Sequence, residues 1–172
     1  MEVIFLREPF EHYIIKDLYT DNELQHVWQE LDFIESSDYV RLPQVKNTAV
    51  SQNGVPVAKR KCVFLAHMFV NYQQTLKLYR AFSKLKKSEV LRKDGILGKI
   101  FLDTNSASTL VSYYKEGDFY LSHQDSSVVT LMVHLWRGDK AFTGGDLFFE
   151  EYGYKYEPTN NCALLIPGSI KH

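Results

Sequence analysis

A chain of 172 residues with a formal net charge of −1 and no long apolar run excludes several classes at once. It has no global positive field to draw nucleic acid or an anionic membrane, no bilayer-spanning segment, and no basic, apolar leader in Met1–Arg7. Hydrophobic residues at 45%, with 11 Tyr and 11 Phe, can fill one compact β-rich domain, and the two cysteines, Cys62 and Cys162, lack zinc-type spacing and are expected as free thiols of a cytoplasmic protein.

Residues 3–6 and 11–16 are rich in Val, Ile, Phe and Tyr and are predicted as short strands. Thr20-Asp21-Asn22-Glu23 has the form of a capping box. Leu24, Val27, Trp28 and Leu31 then recur on one helical face, which fades near Phe33-Ile34. In residues 36–60 Pro43, Pro56, Asn47-Thr48 and Gln52-Asn53-Gly54 break any period, so a long loop or a hairpin is expected. From about Ala66 to Leu91 the apolar steps Phe69, Tyr72, Leu76, Tyr79 and Phe82 predict a helix. Its other side is basic: Lys77, Arg80, Lys84, Lys86, Lys87, Arg92 and Lys93. A solvated face accounts for such a run more often than a nucleic-acid surface does.

Beyond Ala107 the pattern is β. Strands are predicted at Thr109–Tyr114, Phe119–Asp125, Val128–Trp136, Asp146–Glu150 and Cys162–Ile166, with turns at Lys115–Asp118, Gly144-Gly145 and Pro167-Gly168. This regular spacing suggests a sandwich or barrel. Glu150-Glu151 is expected on an exposed edge, since consecutive strand residues point to opposite faces. His12, His26 and His67 lack spaced partners and are expected in surface or capping roles.

His123 and Asp125 lie two residues apart, so on an extended segment they point to the same side. With His172 they make a 2-His-1-carboxylate set, the donor type that holds non-haem Fe(II) with open positions. Alone, His-x-Asp is a weak signal. Its context is Tyr114-x-x-Gly117-x-x-Tyr120-x-x-His123-x-Asp125, followed by Thr130, Gly144-Gly145-Asp146-Leu147 and Ala163–Pro167. In these residues the chain resembles the Fe(II)/2-oxoglutarate-dependent dioxygenases, in particular the prolyl 4-hydroxylase-like branch. The resemblance is strong over residues 107–172 and loose over residues 1–106.

The resemblance implies an α+β, mainly β fold: a double-stranded β-helix, or jelly-roll, buttressed by N-terminal strands and helices, in one domain over 1–172. It implies His123, Asp125 and His172 as metal ligands at the mouth of the barrel. It also implies hydroxylation of an unactivated C–H bond coupled to oxidation of 2-oxoglutarate to succinate and CO2, with O2 as oxidant and ascorbate as a further cofactor. Tyr114, Thr130 and His134 fall where cosubstrate contacts are expected. His134 has a second explanation, a core histidine satisfied by a neighbour. The family's Lys or Arg anchor for 2-oxoglutarate is expected beyond His172, so the chain is expected to be truncated there. A protein or peptide substrate, proline first, is favoured by the 36–60 segment, whose Arg41, Lys46, Lys59 and Arg60 could meet peptide carbonyls or acidic side chains. The alternatives are the same chemistry on a free amino acid, another small molecule or an alkylated nucleobase, and a non-catalytic jelly-roll binding module.

Overall fold

The computed structural model describes residues 1–41, 57–69 and 76–172. In chain order they form strands β1 (Glu2–Leu6) and β2 (His12–Lys16), then helices α1 (Asp21–Ser36) and α2 (Asp38–Arg41). Strands β3 (Ala58–Lys59) and β4 (Lys61–Phe64) follow, then helices α3 (Leu65–Met68), α4 (Lys77–Leu85), α5 (Glu89–Lys93) and α6 (Ile96–Asp103). Strands β5 (Leu110–Tyr113), β6 (Phe119–Tyr120), β7 (Val129–His134), β8 (Leu147–Phe149), β9 (Tyr154–Tyr156) and β10 (Cys162–Pro167) complete the chain. The class is α+β. Every strand pair among the described residues is antiparallel and none of these sheets closes on itself. Helices occupy at least as many described residues as strands, so the weight on β is less than composition suggested. None of the described helices is long and apolar enough to cross a membrane.

The chain folds as two units. The first comprises Met1–Thr20, Ser83–Asn105 and Ser122–His172. Its sheet has the order β1-β2-β10-β7. The central strand β10 is closed to solvent from Cys162 to Ile166, which is why it reads as a continuous apolar run rather than an alternation. On one face Ile14, Leu164 and Met132 lie across from one another. With Cys162 and Ile166 they pack under Phe10 and under Phe149 and Tyr156 of the β8–β9 hairpin. The other face carries Tyr13, Ile15, Ala163 and Leu165, all buried. There the Tyr13 hydroxyl donates to the Asp94 carbonyl. Gly98 of α6 comes so close that a Cβ would lie 2.5 Å from the Tyr13 oxygen and 2.3 Å from the Leu91 carbonyl.

Both ends of α6 are capped by charge. The Glu11 carboxylate accepts from Ile96 N (2.8 Å) and Leu97 N (3.2 Å) at the positive end of the helix dipole. At the other end Lys86 Nζ donates to the carbonyls of Phe101 (2.5 Å), Leu102 (2.8 Å) and Thr104 (2.5 Å). Lys84 Nζ donates to Leu18 O at 2.6 Å. Two members of the basic face are therefore fold-building residues.

The second unit comprises Asp21–Phe82 and Ser106–Leu121. Helix α1 buries Val27, Leu31 and Ile34, the face its periodicity predicts carried one turn further. Glu30 accepts from Lys77 N (2.7 Å) and Leu78 N (3.0 Å), which starts α4. Strand β4 pairs with β5, and β3 with β6. The Lys115–Asp118 turn forms as expected: Gly117 has φ of 73° and Asp118 N donates to Lys115 O at 3.0 Å.

Several expectations are corrected. The helix expected over 66–91 is interrupted, because Ser88 accepts from Leu91 N and begins a separate α5. Its Tyr72 lies outside the described residues. Of the 36–60 segment, the stretch with Lys46 and both prolines also lies outside them, while its ends form α2 and β3 rather than loop. Glu150 and Glu151 are exposed, but in a 3-10 turn and not on a strand edge. His12 is fully buried, not on the surface.

A candidate metal centre at His123, Asp125 and His172

Only Phe119–Tyr120 of the expected 119–125 strand is a regular strand. The stretch that carries His123 and Asp125 is fixed instead by pairing with the end of the chain. His123 N donates to His172 O (2.8 Å) and His172 N donates to His123 O (2.9 Å). Asp125 N donates to Gly168 O at 3.0 Å, and Gly168 N to Val128 O at 3.0 Å. Two residues 49 positions apart in sequence thereby stand opposite each other as a hydrogen-bonded pair.

The side chains converge accordingly. His123 Nε2 lies 3.6 Å from Asp125 Oδ1, and His172 Nε2 lies 3.8 Å from Asp125 Oδ2. One donor atom from each of the three falls within 4.8 Å of the others, and the imidazole centroids are 4.6 Å apart. The His172 side chain is 5% exposed, whereas His123 and Asp125 keep 21% and 29%. The site is thus walled on one side and open on another.

Hydrogen bonding selects the ligating atoms. His172 Nδ1 lies 2.9 Å from the Ile170 carbonyl. A carbonyl only accepts, so Nδ1 carries a proton, and in the neutral, metal-ligating form of the ring the Nε2 lone pair faces Asp125. A lone pair and a carboxylate oxygen facing each other without a proton between them repel, and a cation between them removes the repulsion. The donor set therefore fits a divalent metal. The Thr130 hydroxyl donates to Asp125 Oδ2 at 2.5 Å, and the Ser127 hydroxyl lies 2.9 Å from Thr130 Oγ1. The His123 imidazole does most to hold the Asp125 carboxyl below the usual carboxylate range; burial works against it, and Thr130 adds to it.

The three expected cosubstrate residues have different settings. Thr130 spends its one hydroxyl proton on Asp125, so it orients a ligand carboxylate. Thr130→Val should lower metal affinity by roughly 10–100-fold, the usual cost of losing an outer partner, while Thr130→Ser should retain most of it. Calorimetric titration with Mn(II) checks this.

His134 lies across from Cys162 on the same sheet face as Thr130. Its Nδ1 is buried with no hydrogen-bond partner, and its ring is 6.3 Å from Tyr156. Desolvation pushes its pKa from 6.5 down to about 4, so the imidazole is neutral at physiological pH. Between those values the unfolded chain binds the extra proton. Stability present above pH 6.5 should fall as pH drops toward 4, by on the order of 3 kcal/mol from this residue. His12, also lowered by burial, acts in the same direction. Denaturant midpoints measured across this window should fall more gently for His134→Leu than for the wild type; equal slopes would exclude the effect.

Tyr114 belongs to the second unit, where it is 54% exposed and its ring lies 5.9 Å from the Arg60 guanidinium. Gly168 and the Ile170 carbonyl were not singled out as site residues. Their only sequence signal is a glycine directly after the Ile166-Pro167 strand end. Neither Cys62 nor Cys162 is in a disulfide among the described residues; the former is half-buried and the latter buried. The chain matches no known protein family model, no curated protein and no solved structure.

Proposed function

We propose that the protein is an Fe(II)- and 2-oxoglutarate-dependent oxygenase that hydroxylates a C–H bond of a protein or peptide, with proline as the first residue to test. The observation that carries this is the convergence of His123, Asp125 and His172, with His172 held by Ile170 in the tautomer that ligates through Nε2. The sheet β1-β2-β10-β7, with helices on its Tyr13 face and the β8–β9 hairpin on the other, supports a jelly-roll as the finer fold. A cytoplasmic setting with ascorbate available would keep such a metal reduced.

The three ligands would hold Fe(II), which with 2-oxoglutarate and O2 supplies the oxidising power: one oxygen atom enters the C–H bond and the other enters succinate as CO2 leaves. The chain's own contribution is positional. Thr130 fixes which Asp125 oxygen turns toward His172. Phe149, 6.3 Å from the His172 ring, belongs to an apolar cluster that keeps water from that side. His134 offers a neutral imidazole with an unused ring nitrogen on the Thr130 face.

The test is succinate release from 2-oxoglutarate by protein reconstituted anaerobically with Fe(II) and then exposed to air. The assay is run with a proline-containing peptide library, an amino-acid and metabolite panel, and methylated nucleobases. Succinate formed above the uncoupled level with peptides supports the proposal, whereas stimulation only by metabolites or nucleobases moves the substrate class. Failure to bind Fe(II) leaves the non-catalytic module.

A further inference from the structure

We propose that Arg60, in the second unit, is a carboxylate-binding site. Its Nε donates to the Ser112 hydroxyl at 2.9 Å, and its guanidinium carbon lies 3.8 Å over the Tyr120 ring and 5.9 Å from that of Tyr114. Nη1 is closed to solvent and has no hydrogen-bond partner. No carboxylate pairs with Arg60 among the described residues. The acid on the adjoining turn, Asp118, is already engaged by Lys59 Nζ at 3.8 Å and by Lys115 N at 2.9 Å.

A hydroxyl and two aromatic faces orient this cation without neutralising it. A charged donor left without an acceptor in a dry position is costly, and cation–π attraction offsets only part of that cost. An arriving anion therefore gains a charge-assisted hydrogen bond at Nη1 without breaking one inside the protein. Of the two rings beside the guanidinium, Tyr114 is the more distant and is 54% exposed, so it is the freer to move. The planar fork matches a carboxylate. One uncompensated cation suits one negative charge, so a phosphate dianion is the poorer fit. The carboxylate can come from an acidic side chain of a peptide or from a small dicarboxylate. The site stands whether or not His123, Asp125 and His172 hold a metal.

The test follows the Arg60 Nε–Hε resonance of the whole metal-free protein by 15N NMR. Probes are acetyl-Gly-Glu-Gly-amide, its Gln counterpart, 2-oxoglutarate, and sodium chloride at matched ionic strength. A saturable shift with the Glu peptide or with 2-oxoglutarate, absent with the Gln peptide and with salt, is the expected result. Whichever saturates at lower concentration identifies the source. Arg60→Lys, which keeps the charge but loses the fork, should weaken the binding by about tenfold or more. Carboxylate shifts no larger than those from salt would overturn the proposal, as would unchanged affinity in a folded Arg60→Lys.

Discussion

Asp125→Ala should lower metal affinity by more than about 100-fold and abolish the proposed 2-oxoglutarate turnover, while leaving the metal-free protein folded. The loss should exceed the 10–100-fold that outer partners cost, because a donor atom itself is removed. Asp125 supplies the only negative charge in the His123–Asp125–His172 set, and each of its oxygens faces a different imidazole. Without it, two imidazoles remain, too weak a donor set for a divalent metal on their own. The metal-free fold has less to lose, since the Thr130 hydroxyl forfeits one acceptor and the Asp125 backbone bond to Gly168 persists. Thermal unfolding separates the two effects. A ligand at a hundred times its Kd stabilises by about 2.7 kcal/mol, or about 5–11 °C for a chain of this size. The wild type should show that shift with Mn(II), and Asp125→Ala should show none. An undiminished shift in the variant would remove the triad, and with it the oxygenase proposal.

Gly168→Ala should damage both stability and metal binding. A Cβ at this position would lie 1.8 Å from the Ser127 carbonyl oxygen and 2.8 Å from its carbon. Both are backbone atoms and cannot rotate away, so the 125–128 segment and the end of β10 must separate. Overpacking of this kind costs about 3 kcal/mol, a fall of about 6–12 °C in Tm. The same displacement breaks the Asp125 N to Gly168 O bond that sets the carboxylate, so Mn(II) affinity should drop as well. Gly144→Ala is the matched control. It has φ of 85° and nothing within 4 Å of an added Cβ. It should cost about 1 kcal/mol of backbone strain and leave metal affinity unchanged. Equal effects of the two substitutions on metal affinity would refute the role assigned to Gly168.

Elements with one dominant local signal were legible in the sequence. The strands near 3–6 and 11–16, helix α1, β5, β7, β8 and β10 each carry an apolar period or run longer than its interruptions. Elements that depend on partners were not. Strands β3 and β9 are two and three residues long and exist because β6 and β8 lie beside them. Helix α6, Ile-Leu-Gly-Lys-Ile-Phe-Leu-Asp, has almost no polar face and is specified by the caps at Glu11 and Lys86, far off in sequence or outside its period. The break between α4 and α5 turns on one serine that an apolar period passes over.

The candidate site divides the same way. The residue types at 123, 125 and 172 and their order among glycines and tyrosines are properties of the sequence, because metal chemistry restricts which side chains can serve. Their convergence is not, since it rests on paired backbone bonds between residues 49 positions apart and on the close approach of Gly168 to Ser127. The tautomer of His172, the commitment of the Thr130 proton to Asp125, the dry nitrogen of His134 and the unpaired edge of Arg60 were likewise decided by tertiary structure. Composition can name a donor or an acceptor, but only the packed chain determines which partners come within reach and which are kept away.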